Sequence, residues 1–202
     1  MTQLPGRSES ESTEKLTESE RLRRSLNVSS LEHTFQNFHV APELSIMYKT
    51  FRTFAEKLIP AMVLLHGGIG NGKTFMLEAT AIRLRQRGVY CRVSTWSLFI
   101  GLLHESLNDR NSPPYYDQVI ANYRTAPVIL MDDYGMGTTE TAWEKSALED
   151  LTSYRYHNHL PTVLSTNDPL DILPARVVSR FRDPERGVVV QNLGGDYRVK
   201  ED

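Results

Sequence analysis

The chain has 202 residues, 40% of them hydrophobic, with 23 Lys and Arg against 25 Asp and Glu for a net charge of −2. That length supports one domain, or a domain with an appendage, and buries a core without disulfides or a structural metal. The charge balance excludes a strongly basic nucleic-acid coat and confines any DNA contact to a local patch.

The single cysteine, Cys91 in VYCRVST, excludes an intrachain disulfide and a cysteine-cluster zinc site. Among β-formers it reads as a small buried apolar residue rather than a nucleophile. The first residues contain no apolar signal core, and no run approaches the length of a membrane span. A cytoplasmic protein without a membrane segment is expected.

Residues 1–30 are rich in Ser, Glu and Arg and contain no aromatic residue. Such a stretch buries too little apolar surface to order itself as a core. Thr17 with Glu20 fits a capping box, and Leu22 and Leu26 share a helical face, so a short helix is expected in a solvated or partner-docking arm. From residue 31 the chain reads as one globular domain to residue 202. Phe35 and Phe38 pin the entry segment, and Pro42–Ile59 reads as a helix with Ile46, Tyr48, Phe51, Phe54 and Leu58 toward one side.

Alternating units follow. A strand over 61–66 precedes a helix over 73–87 that Gly88 ends. The strand VYCRVST precedes helical TWSLFIGLLHESL, a Pro-Pro break at 113–114, and helical YYDQVIANYR. VILM at 128–131 is the next strand. Thr141 with Glu144 caps a helix to about residue 158, with Trp143, Ala147, Leu148, Leu151 and Tyr154 on one face. PTVLST, a helix near 170–182 and the strand GVVVQNL complete the order. Val-, Ile- and Leu-rich strands separated by helices predict an α/β fold, a buried parallel sheet with helices on both faces.

Four segments carry chemistry. Gly67, Gly68, Ile69, Gly70, Asn71, Gly72, Lys73 and Thr74 match G-x-x-x-x-G-K-[ST], with Phe75 next. Here glycines let backbone N–H groups surround a phosphate, and the following helix points its N-terminus at the same anion. Lys73 is expected to reach the β- and γ-phosphates of ATP, and the Thr74 hydroxyl to ligate Mg²⁺. VILMDDYG delivers Asp132 and Asp133 to the carboxyl edge of the sheet, where ligands bind in such folds. Asp132 is read as the Mg²⁺ holder and Asp133 as the residue that orients or deprotonates water. In VLSTND, Asn167 is placed for the γ-phosphate or the water, although Ser, Thr and Asn also make turns. In ARVVSRFRD, Arg176 and Arg180 stand one helical turn apart, a solvated face or an arginine finger.

Together HGGIGNGKT, VILMDDYG, VLSTN, RVVSRF and the GGDYR near residue 198 resemble the bacterial helicase-loader and transposition-helper ATPases, a branch of AAA+, across about residues 31–202. The resemblance implies a five-stranded sheet of order 5-1-4-3-2 without a separate lid domain. It makes Asn167 a sensor-1 residue and Arg180 a finger donated to a neighbour's ATP. It sets Arg198 at a sensor-2-like position, and Arg176 shares one of these duties. A homo-oligomer is implied, with a replicative helicase and single-stranded DNA as partners, and the arm 1–30 where the family carries a folded helicase-binding domain. The family's DNA element falls at about 96–124, where Arg110, Tyr115, Tyr116, Tyr123 and Arg124 are candidates to stack on bases or meet phosphates. Three other functions remain open: a transposition helper on double-stranded DNA, a small-molecule P-loop kinase, and a nucleotide-gated adaptor.

Overall fold

The computed structural model describes residues 17–108, 115–135 and 141–197. Helix α1 (Glu18–Leu26) opens on the predicted capping box: Glu20 N donates to Thr17 Oγ1 at 3.2 Å, and Thr17 N donates to Glu20 Oε2 at 2.8 Å. It stops at Asn27, which is left-handed and donates its Nδ2 to Val93 O at 3.0 Å. Leu26 and Val28 are buried in the main core, so the chain joins the body before residue 30.

A 3-10 turn (Pro42–Leu44) leads into α2 (Ser45–Lys57). The core takes Met47, Phe51, Phe54 and Ala55 at helical spacing, whereas Ile46, one position off that stripe, is 68% exposed. Strand β1 (Met62–Gly67), helix α3 (Lys73–Gln86) and β2 (Cys91–Thr95) follow. Burial pushes the Cys91 thiol up to about 11, which keeps it protonated and inert. Next come α4 (Trp96–Asn108), α5 (Tyr115–Thr125), β3 (Val128–Tyr134), α6 (Ala142–His157), β4 (Thr162–Thr166), α7 (Ala175–Phe181) and β5 (Gly187–Asn192). The Pro-Pro break at 113–114 lies outside the described residues. Helix α7 is shorter than the expected 170–182 because Pro174 sits at its N-cap and sets its start.

All four strand pairings are parallel, in the order β2-β3-β4-β1-β5, which is the expected 5-1-4-3-2 read from the opposite edge. Alternate residues of each strand feed two separate cores. Val63, Leu65, Leu130 and Val163 pack under α2 and α3, while Met62, Leu64, Ile129 and Leu164 pack under α4 to α7. Among the described residues no helix is long and apolar enough to cross a membrane.

One buried residue breaks the expected pattern. Arg155 on α6 has 0% exposure. Its Nε donates to Thr162 Oγ1 at 2.8 Å, its Nη1 to the carbonyls of Tyr123, Arg124 and Ala126, and its Nη2 to Pro161 O at 2.7 Å. These groups lie where β3 and β4 begin, at the sheet edge opposite the P-loop. Burial lowers the guanidinium to about 10, so it stays charged at neutral pH.

Candidate active site

Strand β1 ends at the carboxyl edge of the sheet in Gly67. A Cβ there would stand 2.4 Å from Asn192 O, so only glycine lets β1 and β5 meet at this point. Gly70 has φ +73, and a Cβ on it would collide with the Asp196 carboxylate, while Tyr197 N donates to Gly70 O at 3.1 Å. The loop is therefore seated on residues 192–197. Asn192 Nδ2 also donates to Asn71 O at 2.8 Å.

Gly72 forms the N-cap of α3 with no side-chain cap, which leaves the first N–H groups of the 14-residue helix turned to the loop. Lys73 is 5% exposed and folds back onto the cradle. Its Nζ donates to Gly67 O at 2.9 Å, to Gly68 O, and to Asn71 Oδ1 at 3.0 Å. Asn71 Nδ2 is a buried donor without a partner among the described residues. Uncapped amides, a buried ammonium and an orphan donor around one loop suit a polyanion.

The acidic pair owes its placement to a bulge. The β3–β4 register runs Met131↔Leu164, then Tyr134↔Thr166, so β3 carries one extra residue. Asp133 occupies it with a left-handed φ of 55. Ser165 Oγ donates to Asp132 Oδ1 and accepts from Asp133 N at 3.1 Å, so one hydroxyl holds both carboxylate residues. Asn167 Nδ2 donates to Asp133 Oδ1 at 3.0 Å.

Lys73, Thr74, Phe75, Asp133 and Asn167 line one cleft of about 320 Å³ with residues 69–72. Asp132 stands behind it, buried, with the Thr74 hydroxyl near it. A hydroxyl beside a carboxylate is the donor set for a Mg²⁺ that keeps several waters and phosphate oxygens.

Burial raises the Asp132 carboxyl above its ordinary range, against the hydrogen bond from Ser165 and the nearby Thr74 hydroxyl. Its folded pKa exceeds the unfolded one, so its contribution to stability is present at low pH and is lost as pH rises through the folded value. At pH 7 the buried charge costs stability. Asp132→Asn removes the charge and keeps an acceptor for Ser165. Thermal melts of nucleotide-free protein at pH 7 should therefore show a higher Tm for this variant than for wild type.

The mouth of the cleft is crossed by a segment that sequence reasoning missed. Ser29 and His33 line the cleft. Glu78, buried on α3, accepts from Ser29 N at 2.7 Å and Ser29 Oγ at 3.0 Å, and meets His33 Nδ1 at 2.6 Å. The His33 ring lies on Phe75, with centroids 4.3 Å apart. The one signal available was a lone acid inside the apolar run MLEATA. Ser165 and Asn192 were missed too, each a polar residue closing a run of strand formers.

The arginines separate. Arg176 and Arg180 do not line the cleft of their own chain. They border a groove of about 1150 Å³ between the end of α6 and α7. Arg180 Nη1 donates to Arg176 O at 2.8 Å, and the Arg176 side chain is 80% exposed, 3.8 Å from Glu149. Arg198 and Arg110 lie outside the described residues.

The aromatic DNA element is corrected at Tyr123. That ring is 3% exposed, packs on Phe99, and its hydroxyl bonds Ser94 Oγ at 2.9 Å. It is core, because it shares the inward face of α5 with Val119. Tyr116 and Arg124 border a small cleft against α6 with Asp117 and Asp150. The Tyr115 side chain is outside the described set.

No family model matches the chain. The replicative helicase loader DnaI of Bacillus subtilis is 31% identical over 124 residues, 61% of this chain and 37% of its own length. A putative ATP-binding protein in an insertion sequence of Mycobacterium tuberculosis is 30% identical over 105 residues, 52% of this chain and 40% of its own. The chain thus spans well under half of these relatives' lengths. A structure of the DnaC helicase loader superimposes with TM-score 0.67 at 19% identity, over 80% of this chain and 97% of that one. The replication initiator DnaA bound to AMPPCP and single-stranded DNA gives 0.69 at 20% identity, over 81% of this chain and 50% of that one. The fold is that of the AAA+ P-loop ATPases, and within them the chain is similar to the helicase-loader and transposition-helper branch.

Proposed function

We propose that this chain is a DNA-handling ATPase, a replicative-helicase loader that works as an oligomer on single-stranded DNA. The observation that carries the ATPase reading is the convergence of Lys73, Thr74, Asp133 and Asn167 on one cleft at the uncapped start of α3. The loader assignment is supported by the similarity to DnaI and DnaC.

In this reading the amides of residues 67–74 hold the phosphates of ATP. Lys73 exchanges its loop carbonyls for phosphate oxygens. Thr74 and Asp132 hold Mg²⁺, which offsets phosphate charge when bound. Asp133 accepts the proton of the attacking water, and Asn167 fixes the carboxylate that does so. Arg180 faces away from its own cleft, which suits a finger given to a neighbouring subunit. Helix α1, anchored at Leu26 and Val28, is the segment we assign to partner docking.

Asp133→Asn should keep ATP affinity within about twofold and slow hydrolysis by ~10²-fold or more, the scale of a lost general base. Calorimetry and phosphate release read the two separately. Loss of binding with normal residual turnover would reverse the two acidic roles.

Mixing Lys73→Ala with Arg180→Ala tests the shared site. One subunit retains the finger and the other the P-loop, so hydrolysis should return in the mixture. A monomer with concentration-independent turnover would overturn the oligomeric mechanism. The similarity to an insertion-sequence ATP-binding protein favours a second reading, a transposition helper. Recovering a hexameric helicase rather than a transposase on ATP-locked protein decides between them.

A further inference from the structure

A second groove, about 530 Å³, adjoins the cleft on the α7 side of the sheet. The paired residues His66 and Gln191 border it, with Gly67 and Gly68 from the P-loop, Asp168 from the β4–α7 connection, and Arg182. The two cavities share Asn167 and divide the P-loop between them, with residues 69–74 on the cleft and 67–68 on the groove. Gly68 has open space around its missing side chain. Lys73 Nζ, bonded to Gly67 O and Gly68 O, stands at the boundary.

Arg182 is fixed at its backbone. It is the C-cap of α7, and its N donates to Val178 O at 3.0 Å. Among the described residues its guanidinium has no ion-pair partner within 4.0 Å, unlike the exposed Arg176 beside Glu149. His66 feels the charge of both cations. Burial, then the charges of Arg182 and Lys73, hold its imidazole below its usual range and therefore neutral at pH 7. Arg182 thus lines the groove while the Lys73 ammonium is tied to the two glycines that border it, and Asp168 and Asp171, which also line the groove, form no salt bridge with Arg182 among the described residues. This arrangement is suited to an anionic group at the junction, and a guanidinium suits phosphate oxygens.

We propose that Arg182 contacts the terminal phosphate of ATP in its own chain's P-loop, reaching it across Gly68 beside Asn167. The assignment rests on the ATPase reading above and adds a cis arginine to it. It also separates the arginines by duty: Arg182 serves its own site, and Arg180, in a different groove, serves a neighbour's.

Two measurements on the full chain test this. Calorimetry of Arg182→Ala with ADP and with the non-hydrolysable AMPPNP should show ADP affinity unchanged and AMPPNP weakened by about 10-fold or more, the scale of one charge-assisted phosphate contact. Arg182→Lys should recover part of the preference, and the exposed position should leave Tm as in wild type. Equal loss for both nucleotides, or none, overturns the assignment. In mixing, Lys73→Ala should not raise the hydrolysis of Arg182→Ala above that of Arg182→Ala alone, because no hybrid site holds both residues, while Arg180→Ala with Lys73→Ala recovers. Recovery in the Arg182 mixture would place Arg182 in trans and overturn the proposal. If instead the Arg180 mixture fails, the shared-site reading falls, and the ADP–AMPPNP comparison still decides Arg182.

Discussion

Arg155→Ala is expected to destabilise the nucleotide-free protein by about 3–5 kcal/mol, the range for removing a buried, fully bonded charged partner. The guanidinium has 0% exposure and makes five hydrogen bonds, four of them to backbone carbonyls. Truncation leaves those carbonyls buried with a cavity beside them, and each orphaned acceptor costs ~1–3 kcal/mol unless water enters. For a chain of this size that corresponds to a Tm lower by roughly 10 °C. Arg155→Met separates the causes, since it fills most of the volume and donates nothing. Denaturant melts should place it between wild type and alanine. A loss below about 1 kcal/mol for alanine would mean that the strand starts hold without the clamp. ATP affinity of the folded fraction should stay near wild type, because the clamp sits at the edge of the sheet away from the P-loop.

Lys73→Ala should abolish hydrolysis and weaken ATP binding by about 10- to 100-fold, the equivalent of one charge-assisted contact of ~1.5–3 kcal/mol. The ammonium is the cation buried within the loop, and its bonds to Gly67 O, Gly68 O and Asn71 Oδ1 also close the loop on itself. Alanine removes both functions. Arginine should not restore them, since a 5%-exposed site among loop carbonyls has no room for a planar fork. Calorimetry with ATP checks the binding, and unchanged affinity would remove the P-loop from the mechanism.

The cleft was legible where chemistry and chain order coincide. Residues 67–74 are contiguous, and an apolar strand ending in Asp132 and Asp133 states its own position on the sheet edge. Asn167 could be placed because β4 also ends there. The supporting residues were not legible, because their partners are distant in sequence. Ser165 meets the acidic pair only through the β3–β4 register, and Asn192 meets the P-loop only because β5 lies beside β1. Glu78 holds Ser29 and His33 across a separation of more than 40 residues. Periodicity also gives a stripe without its exact rotation, so Ile46 was placed inward, and it gives no sign that a charged residue such as Arg155 is buried. Tyr123 carried the composition of a stacking surface and the spacing of a core residue, and the spacing decided its place.

The single Ser165 hydroxyl that serves both Asp132 and Asp133 makes these three positions one unit for substitution. Changing any of them alters the environment of the other two, so their effects on turnover do not add, and a double change costs less than the sum of its parts. A route through sequence space that altered the water-handling carboxylate would thus pass through Ser165 as well. The extra residue in β3 sets the same restriction at the backbone. Deleting it would restore a regular ladder and take Asp133 away with it, leaving Asp132 alone of the pair.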